Sequence, residues 1–466
     1  MASFYVENFG CRATQADGAA VERQFRERGL KRADRASAAE VVVLNTCTVT
    51  ASADRDARAA IRRVRRENPG CQIVVTGCYA QRAPEEVAAL PGVSRVVGNS
   101  HKHRLAEIVL PNLRSPANEA AFFPLSSLST SQRPEACPEP NGEGADDQRP
   151  IYVSDIFAHT ELLAAPVFDA ANERTRPNLK VQDGCDNRCS FCVIPSVRGQ
   201  SRSLPLGRIL DEVNALVSAG YREVVISGIN LGRWGRDMSG EPARFEDLVG
   251  AILGETALEK LRISSVEPMD WSDEMIRLMA ESPRIAKHAH VPMQSGSDRI
   301  LRLMHRKYRP WHYREKIEKI RTAMPTAAIG ADVMVGFPGE TDQDFEETRR
   351  MVEELPFTYL HVFTYSPRPG TQAATMRNQV PANLARERSQ VLRDLAAEKK
   401  LAFMKSFVGR TVEAITLSGF DGTHTECLTD NYLSLRMAGC RDANRWTQVL
   451  VESVQGGTLV TTGEPI

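Results

Sequence analysis

The chain has 466 residues, 42% of them hydrophobic and 25% charged, enough for two or three domains that each bury a core. Its 59 Lys and Arg balance its 59 Asp and Glu, so no global field recruits nucleic acid or an anionic membrane, and a polyanionic partner must meet local patches. The opening "MASFYVENFGCRATQ" lacks the basic leader and apolar centre of a signal peptide, and the run "VVVLNTCTV" is too short to span a bilayer, so the expectation is a cytoplasmic protein without a membrane partner.

The first elements expected in chain order are the apolar runs "SFYVENFG", "EVVVLNTC" and "QIVVTGCYA", the last two separated by a helical pattern. This alternation predicts a small parallel α/β sheet over residues 1–110. Cys11, Cys47 and Cys78 then fall at strand carboxyl ends, where open α/β sheets place their sites. Residues 111–175, dominated by a Pro-, Ser-, Gly- and Ala-rich stretch, read as a linker or insertion. Six strand-like runs follow within 176–404: "NLKVQDG", "EVVISGIN", "LRISSVEP", "HAHVPMQSG", "AIGADVMVGFPG" and "TYLHVFTYSPRPG". With helical segments between them they predict a partial (β/α)6 barrel whose site lies at the strand C-terminal ends. The tail, 405–466, contains "NYLSLRM", with Leu433, Leu435 and Met437 on one face and Tyr432, Ser434 and Arg436 on the other. It reads as a small β-barrel. The fold class is therefore α/β with three parts.

Ten cysteines in a chain without export signals are not a disulfide framework, and each reads as a buried apolar side chain, a catalytic thiol or a metal ligand. "GCDNRCSFC" places Cys185, Cys189 and Cys192 in the loop after the first barrel strand. Zinc sites want four ligands, commonly in paired steps, whereas a [4Fe–4S] cluster on three thiolates keeps one iron open for a cofactor. The C-x3-C-x2-C spacing, with Phe191 before the last cysteine, resembles the radical S-adenosylmethionine (SAM) superfamily. That resemblance implies SAM bound to the open iron and cleaved to a 5′-deoxyadenosyl radical. It also implies SAM contacts from Phe191, from Ser227 and Gly228 of "SGIN", and from Gln294 beside Ser295, with "IGADVMVGFPGE" packing on adenine. No catalytic residue is expected beyond the cluster ligands.

"FGCRATQAD", "NTCTVT" and "VVTGCYAQ" are similar, in order and spacing, to the N-terminal domain of the methylthiotransferases within that superfamily. The resemblance implies a second [4Fe–4S] cluster on Cys11, Cys47 and Cys78, two SAM equivalents, and replacement of a C–H by C–S–CH3. "FVGRTVEAITLSG" through "TDNYLSLRM" resembles the TRAM domain that completes such enzymes. "NTCTVTASADRDARAAIRRVRRENPG" and "GINLGRWG" resemble the branch acting on N6-threonylcarbamoyladenosine in tRNA, at position 37 of the anticodon stem-loop, with an electron donor as further partner. The isopentenyladenosine branch, the ribosomal-protein aspartate branch and a non-catalytic iron–sulfur RNA-binding protein are the alternatives. Ala13 and Thr14 depart from the Val or Met, then Asn, usual after the first cysteine.

For RNA contact, Arg55, Arg58, Arg62 and Arg65 or Arg66 recur at helical spacing, and "RLMHRKYRPWHYR" mixes basic residues with Tyr308, Trp311 and Tyr313. Acidic residues outnumber basic ones from residue 405 onward, so electrostatics do not draw RNA to the tail. Cys71, Cys137, Cys427 and Cys440 read as ordinary thiols.

Overall fold

A computed structural model describes residues 2–111, 150–159, 162, 175–238 and 243–463. Cys137 and most of the 111–175 segment lie outside the described residues. The N-terminal strands are β1 (Ser3–Asn8), β2 (Lys31–Arg32), β3 (Val41–Thr46), β4 (Gln72–Gly77), β5 (Val93–Gly98) and β6 (Ile151–Tyr152). They form one parallel sheet in the order β2-β1-β3-β4-β5-β6. The whole of β3 is buried, as a parallel strand covered on both faces requires. Its side chains alternate between two cores: Val41 and Val43 meet Phe4, Val21 and Phe25, while Val42 and Leu44 meet Ala57, Ile61 and Val64. The helix Arg12–Glu27 supplies Val21 and Phe25, the helix Ala51–Glu67 supplies Ala57, Ile61 and Val64, and Phe4 comes from β1. The sheet is larger than the three strands expected from 1–110. Its edge strand β6 comes from within the 111–175 segment read as a linker, and pairs with Val96 and Val97.

The second part contains β7 (Asn178–Asp183), β8 (Arg202–Ser203), β9 (Glu223–Gly228), β10 (Lys260–Ile263), β11 (His288–His290), β12 (Ala328–Val335) and β13 (Tyr359–Thr364). The parallel ladders β7–β9–β10 and β11–β12–β13 are joined by parallel bridges Leu261–Ile285 and Ser265–His290, giving six strands in chain order. The short β8 runs antiparallel to β7. All six runs expected as barrel strands are strands. Leu179, Val181, Val224, Ile226, Ile329, Ala331, Val333 and Val335 pack into one core with the surrounding helices. The intervening residues, including Lys180, Gln182, Ser227, Arg262, His290 and Asp332, consequently face the barrel interior.

The last part comprises β14 (Thr411–Phe420), β15 (His424–Thr429), β16 (Ser434–Ala438), β17 (Trp446–Leu450), β18 (Ser453–Gln455) and β19 (Thr458–Thr461). Their order is β17-β14-β15-β16-β19-β18, antiparallel except for β16–β19. Leu433, Leu435 and Met437 are buried in its core, on the face the alternation assigns to them. The sheet docks under the barrel: buried Lys260 pairs with Glu413 at 2.6 Å, and Arg262 donates to the carbonyl of Asp430 at 3.0 Å.

Gly184 ends β7 at φ +72°, and a Cβ there would lie 1.8 Å from the Gln200 carbonyl oxygen. Both the backbone and the space exclude a side chain. Gly184→Ala should therefore cost at least about 2 kcal/mol and distort the loop that starts at Cys185. Urea unfolding with an unchanged midpoint would show that the loop tolerates the methyl group.

Candidate functional site

Each cysteine triplet is assembled by loops at strand carboxyl ends. Cys11 precedes the helix Arg12–Glu27, Cys47 directly follows β3, and Cys78 opens the short helix Cys78–Arg82 after Gly77, whose φ is +98°. A Cβ on Gly10 would meet the Cys47 Cβ at 2.6 Å, so glycine lets the first loop close over the second. The Cys47 sulfur accepts from the Val49 N–H at 3.5 Å, and Asn99 donates to Cys78 at 3.5 Å. Burial first, then Cys78 nearby, pushes the Cys47 thiol up to about 11.

Cys185, Cys189 and Cys192 occupy the loop between β7 and the helix Ile194–Arg198. The Cys192 N–H donates to the Cys189 carbonyl at 3.1 Å, closing the turn. Asn230 Nδ2 donates to the Cys185 sulfur at 3.6 Å, and Arg306 to the Cys189 sulfur at 3.2 Å. Burial lifts the Cys192 thiol to about 12. A free thiol here stays protonated, and a metal must displace that proton.

N–H donors thus meet Cys47 and Cys78 in one triplet and Cys185 and Cys189 in the other, a setting that suits thiolates holding a metal group.

Between the N-terminal domain and the barrel lies a buried charge network. Asp17 receives Lys102 at 3.1 Å, Arg198 at 2.9 Å, and Lys180. Asp183 receives Lys180 at 2.8 Å and Arg198 at 2.9 Å. Asp17 belongs to the N-terminal domain and Asp183 to the barrel, so the cations tie the two parts together. Burial alone would raise the Asp17 carboxyl, but Lys102, Lys180 and Arg198 bring it down to about 2. These three cations against two carboxylates leave one positive charge in surplus. Arg198 directs it at sulfur, for its guanidinium interacts electrostatically with Cys11, Cys47 and Cys78. Cys78 also packs against Val193 and Val197, two residues of the segment that follows Cys192. A second tie joins Asp54 and Thr48 of the N-terminal domain to buried Arg368, which donates to Thr48 at 2.8 Å. Sequence reading missed Arg198, Lys180, Lys102 and Arg306. Charged residues inside a buried strand such as "NLKVQD" are the signal that could have found Lys180.

The expected SAM-contact residues ring the barrel mouth. Ser227 Oγ, Asn230 Oδ1 and Gln294 Oε1 are buried and have no hydrogen-bond partner among the described residues. Such orphaned atoms await a polar ligand. Gln294 sits at φ +62°, a strained position for a non-glycine residue, pinned by its N–H to the Asp332 carbonyl at 2.8 Å. Gly228 leaves only 2.9 Å between a would-be Cβ and Gln182 Oε1. Phe191 stacks edge-on against Phe337, with ring centroids 6.4 Å apart. Gly330 of the fifth strand makes room for the Tyr359 ring, which a Cβ would strike at 2.0 Å, and not for a ligand.

The reading of Tyr308 and Tyr313 as base-stacking residues is corrected. Both rings are buried, and their hydroxyls donate to the carbonyls of Met293 at 2.7 Å and Val291 at 2.6 Å, so only Trp311 of the three is exposed. Arg58 is engaged by Glu86 and by the Tyr79 hydroxyl at 2.9 Å. Cys427 is buried in the C-terminal core, while Cys71 is half-buried and Cys440 exposed.

Residues 179–352 match the Radical SAM superfamily, and residues 3–98 match the Uncharacterized protein family UPF0004. The radical SAM methyltransferase TsrM of Kitasatospora setae shares the fold, with a TM-score of 0.52 at 14% identity over 80% of this chain and 74% of that one. Barrel, cysteine loop and superfamily match together define a radical SAM enzyme, a class that uses a [4Fe–4S] cluster and SAM. The chain is 35% identical to the threonylcarbamoyladenosine tRNA methylthiotransferase MtaB of Bacillus subtilis, over 95% of its length and 92% of that protein. It is 33% identical to the tRNA-2-methylthio-N(6)-dimethylallyladenosine synthase of Thermobifida fusca, over 98% of its length and 86% of that protein. The protein belongs to the family of radical SAM tRNA methylthiotransferases.

Asp17→Asn should leave three buried cations with a single carboxylate and cost about 3–5 kcal/mol. Denaturant unfolding would measure it, and a loss below about 1 kcal/mol would mean that apolar packing, not this network, holds the domains together.

Proposed function

We propose that this protein converts N6-threonylcarbamoyladenosine at position 37 of the tRNA anticodon stem-loop to its 2-methylthio derivative. The observation that carries the reading is the buried charge network that ties the domain bearing Cys11, Cys47 and Cys78 to the barrel bearing Cys185, Cys189 and Cys192, with Cys78 packed on Val193 and Val197. Such a reaction needs a radical source and a sulfur donor within reach of one substrate carbon. The adenosine derivative follows the relatives, since those of Bacillus subtilis and Aquifex aeolicus, at 35% and 34% identity, carry the threonylcarbamoyladenosine name.

On this reading Cys185, Cys189 and Cys192 hold the SAM-binding cluster, and Cys11, Cys47 and Cys78 hold a second one. Bound there, the clusters and SAM would supply a 5′-deoxyadenosyl radical that removes hydrogen from C2 of the base, and the methylthio group that replaces it. The chain's own residues bind and orient. Ser227, Asn230 and Gln294 offer unpaired polar atoms to the methionyl and ribosyl groups of SAM, while Phe191 closes the apolar side. Arg306 donates to the Cys189 sulfur and the Arg198 charge acts on the N-terminal sulfurs, which favours the thiolate needed for ligation. On this reading the protein acts in the cytoplasm, where its tRNA substrate and an electron donor are found.

Two measurements test this. Cys189→Ala should abolish 5′-deoxyadenosine formation, whereas Cys47→Ala should stop methylthiolation yet leave SAM cleavage partly intact; loss of sulfur insertion alone in both would break the assignment. Nucleoside mass spectrometry of tRNA from cells lacking the gene should show the methylthio-threonylcarbamoyl nucleoside only when the gene is restored. Restoration of the dimethylallyl derivative instead would move the protein to the other branch.

A further inference from the structure

Arg12 follows Cys11 and begins the helix Arg12–Glu27, which meets the barrel strand β7 through Asp17 and Lys180. Its carbonyl accepts from Asn178, the first residue of β7, at 3.3 Å, which fixes it at the rim of the interior. The half-buried guanidinium itself makes no hydrogen bond or ion pair among the described residues. It lines a cavity of about 460 Å³ with Arg176, Asn178 and Val225 on the barrel side and Glu426 on the far rim. Arg176 also borders a second cavity of about 440 Å³, walled by Tyr359, His361 and Tyr432.

Two other guanidiniums near this space share one carboxylate. Arg176 lies 3.4 Å from Glu223, and Glu223 lies 2.6 Å from Arg262. Burial, followed by Arg262, His290 and Arg12, drives His288 far below the usual imidazole range, so it stays neutral. Arg12 has no partner of its own, so three guanidiniums stand against Glu223 and the rim carboxylate Glu426, and a partly desolvated guanidinium is stabilised when a ligand brings a further anion.

We propose that Arg12 is the specificity residue that binds the carboxylate of the threonylcarbamoyl group on the substrate adenosine, with the tail lodged in the cavity between Arg12 and Arg176. This rests on the substrate named above. A planar guanidinium meets a carboxylate through two parallel N–H donors, a geometry that lysine reproduces only as a point charge. An uncharged dimethylallyl tail would leave Arg12 desolvated and unpaired, so the same residue rejects the other branch's substrate. Because Arg12 adjoins Cys11, anchoring the tail there also holds the base edge beside the N-terminal sulfurs.

The test uses the anaerobically purified holoprotein and two anticodon stem-loop RNAs, one carrying the threonylcarbamoyl carboxylate and the other its primary amide. Wild type should bind the acid about 10-fold more tightly than the amide and show the same ratio in KM. Arg12→Gln should erase that preference by weakening only the acid, and Arg12→Lys should restore part of it. Equal binding of acid and amide by wild type that still methylthiolates the acid would overturn the Arg12 assignment alone. So would an Arg12→Gln protein that loses both RNAs equally, which marks a structural role beside Cys11. Wild type that methylthiolates neither RNA would instead overturn the substrate reading, and the pocket with it.

Discussion

The contact on which this architecture depends is the charge network of Asp17, Lys102, Lys180, Asp183 and Arg198. All five side chains are buried, and its members come from the N-terminal helix, the N-terminal domain's end, β7 and the helix after Cys192. Charges taken out of water tolerate few geometries, because each must find its counter-ion and its hydrogen bonds together. An apolar interface could slide by a side chain and lose little. This one cannot, and the relative position of the two cysteine triplets follows from it.

The same network links structure to chemistry. Each triplet has a buried arginine lent by another element: Arg198, from the barrel, acts electrostatically on the N-terminal sulfurs, and Arg306 donates to Cys189. Burial by itself raises the thiols, as Cys47 and Cys192 show. A fixed guanidinium favours the opposite, negative state of the sulfur. The two effects oppose each other at the same sulfurs.

The polar barrel interior has a simple origin. Parallel strands alternate their side chains, and here one set packs under the helices while the other faces inward. The inward set carries Asp332, 3.4 Å from His290 and 3.2 Å from His361, and the orphaned oxygens of Ser227 and Gln294 at the mouth. The barrel interior is polar for that reason. The C-terminal sheet closes its lower end through Lys260 and Arg262, which is why cavities lie where the three parts meet.

Much of this was legible in the residues alone. Buried parallel strands write themselves as apolar runs, so "EVVVLNTC" and "EVVISGIN" disclosed both their state and the carboxyl ends where function collects. The spacing of Cys185, Cys189 and Cys192 disclosed a chemistry, because only local geometry is needed to bring them to one loop. What lies far apart in the chain was not legible: β6 joining the first sheet, the Arg198 charge acting on the N-terminal sulfurs, Tyr308 and Tyr313 turned inward to backbone carbonyls, and Arg12 left without a counter-ion. Local pattern determined the elements and the ligand types, since neighbours in sequence set helix, strand and loop. Only the tertiary structure decided which charges are paired and which are left for a ligand, because pairing depends on desolvation and distance between segments that the chain keeps far apart.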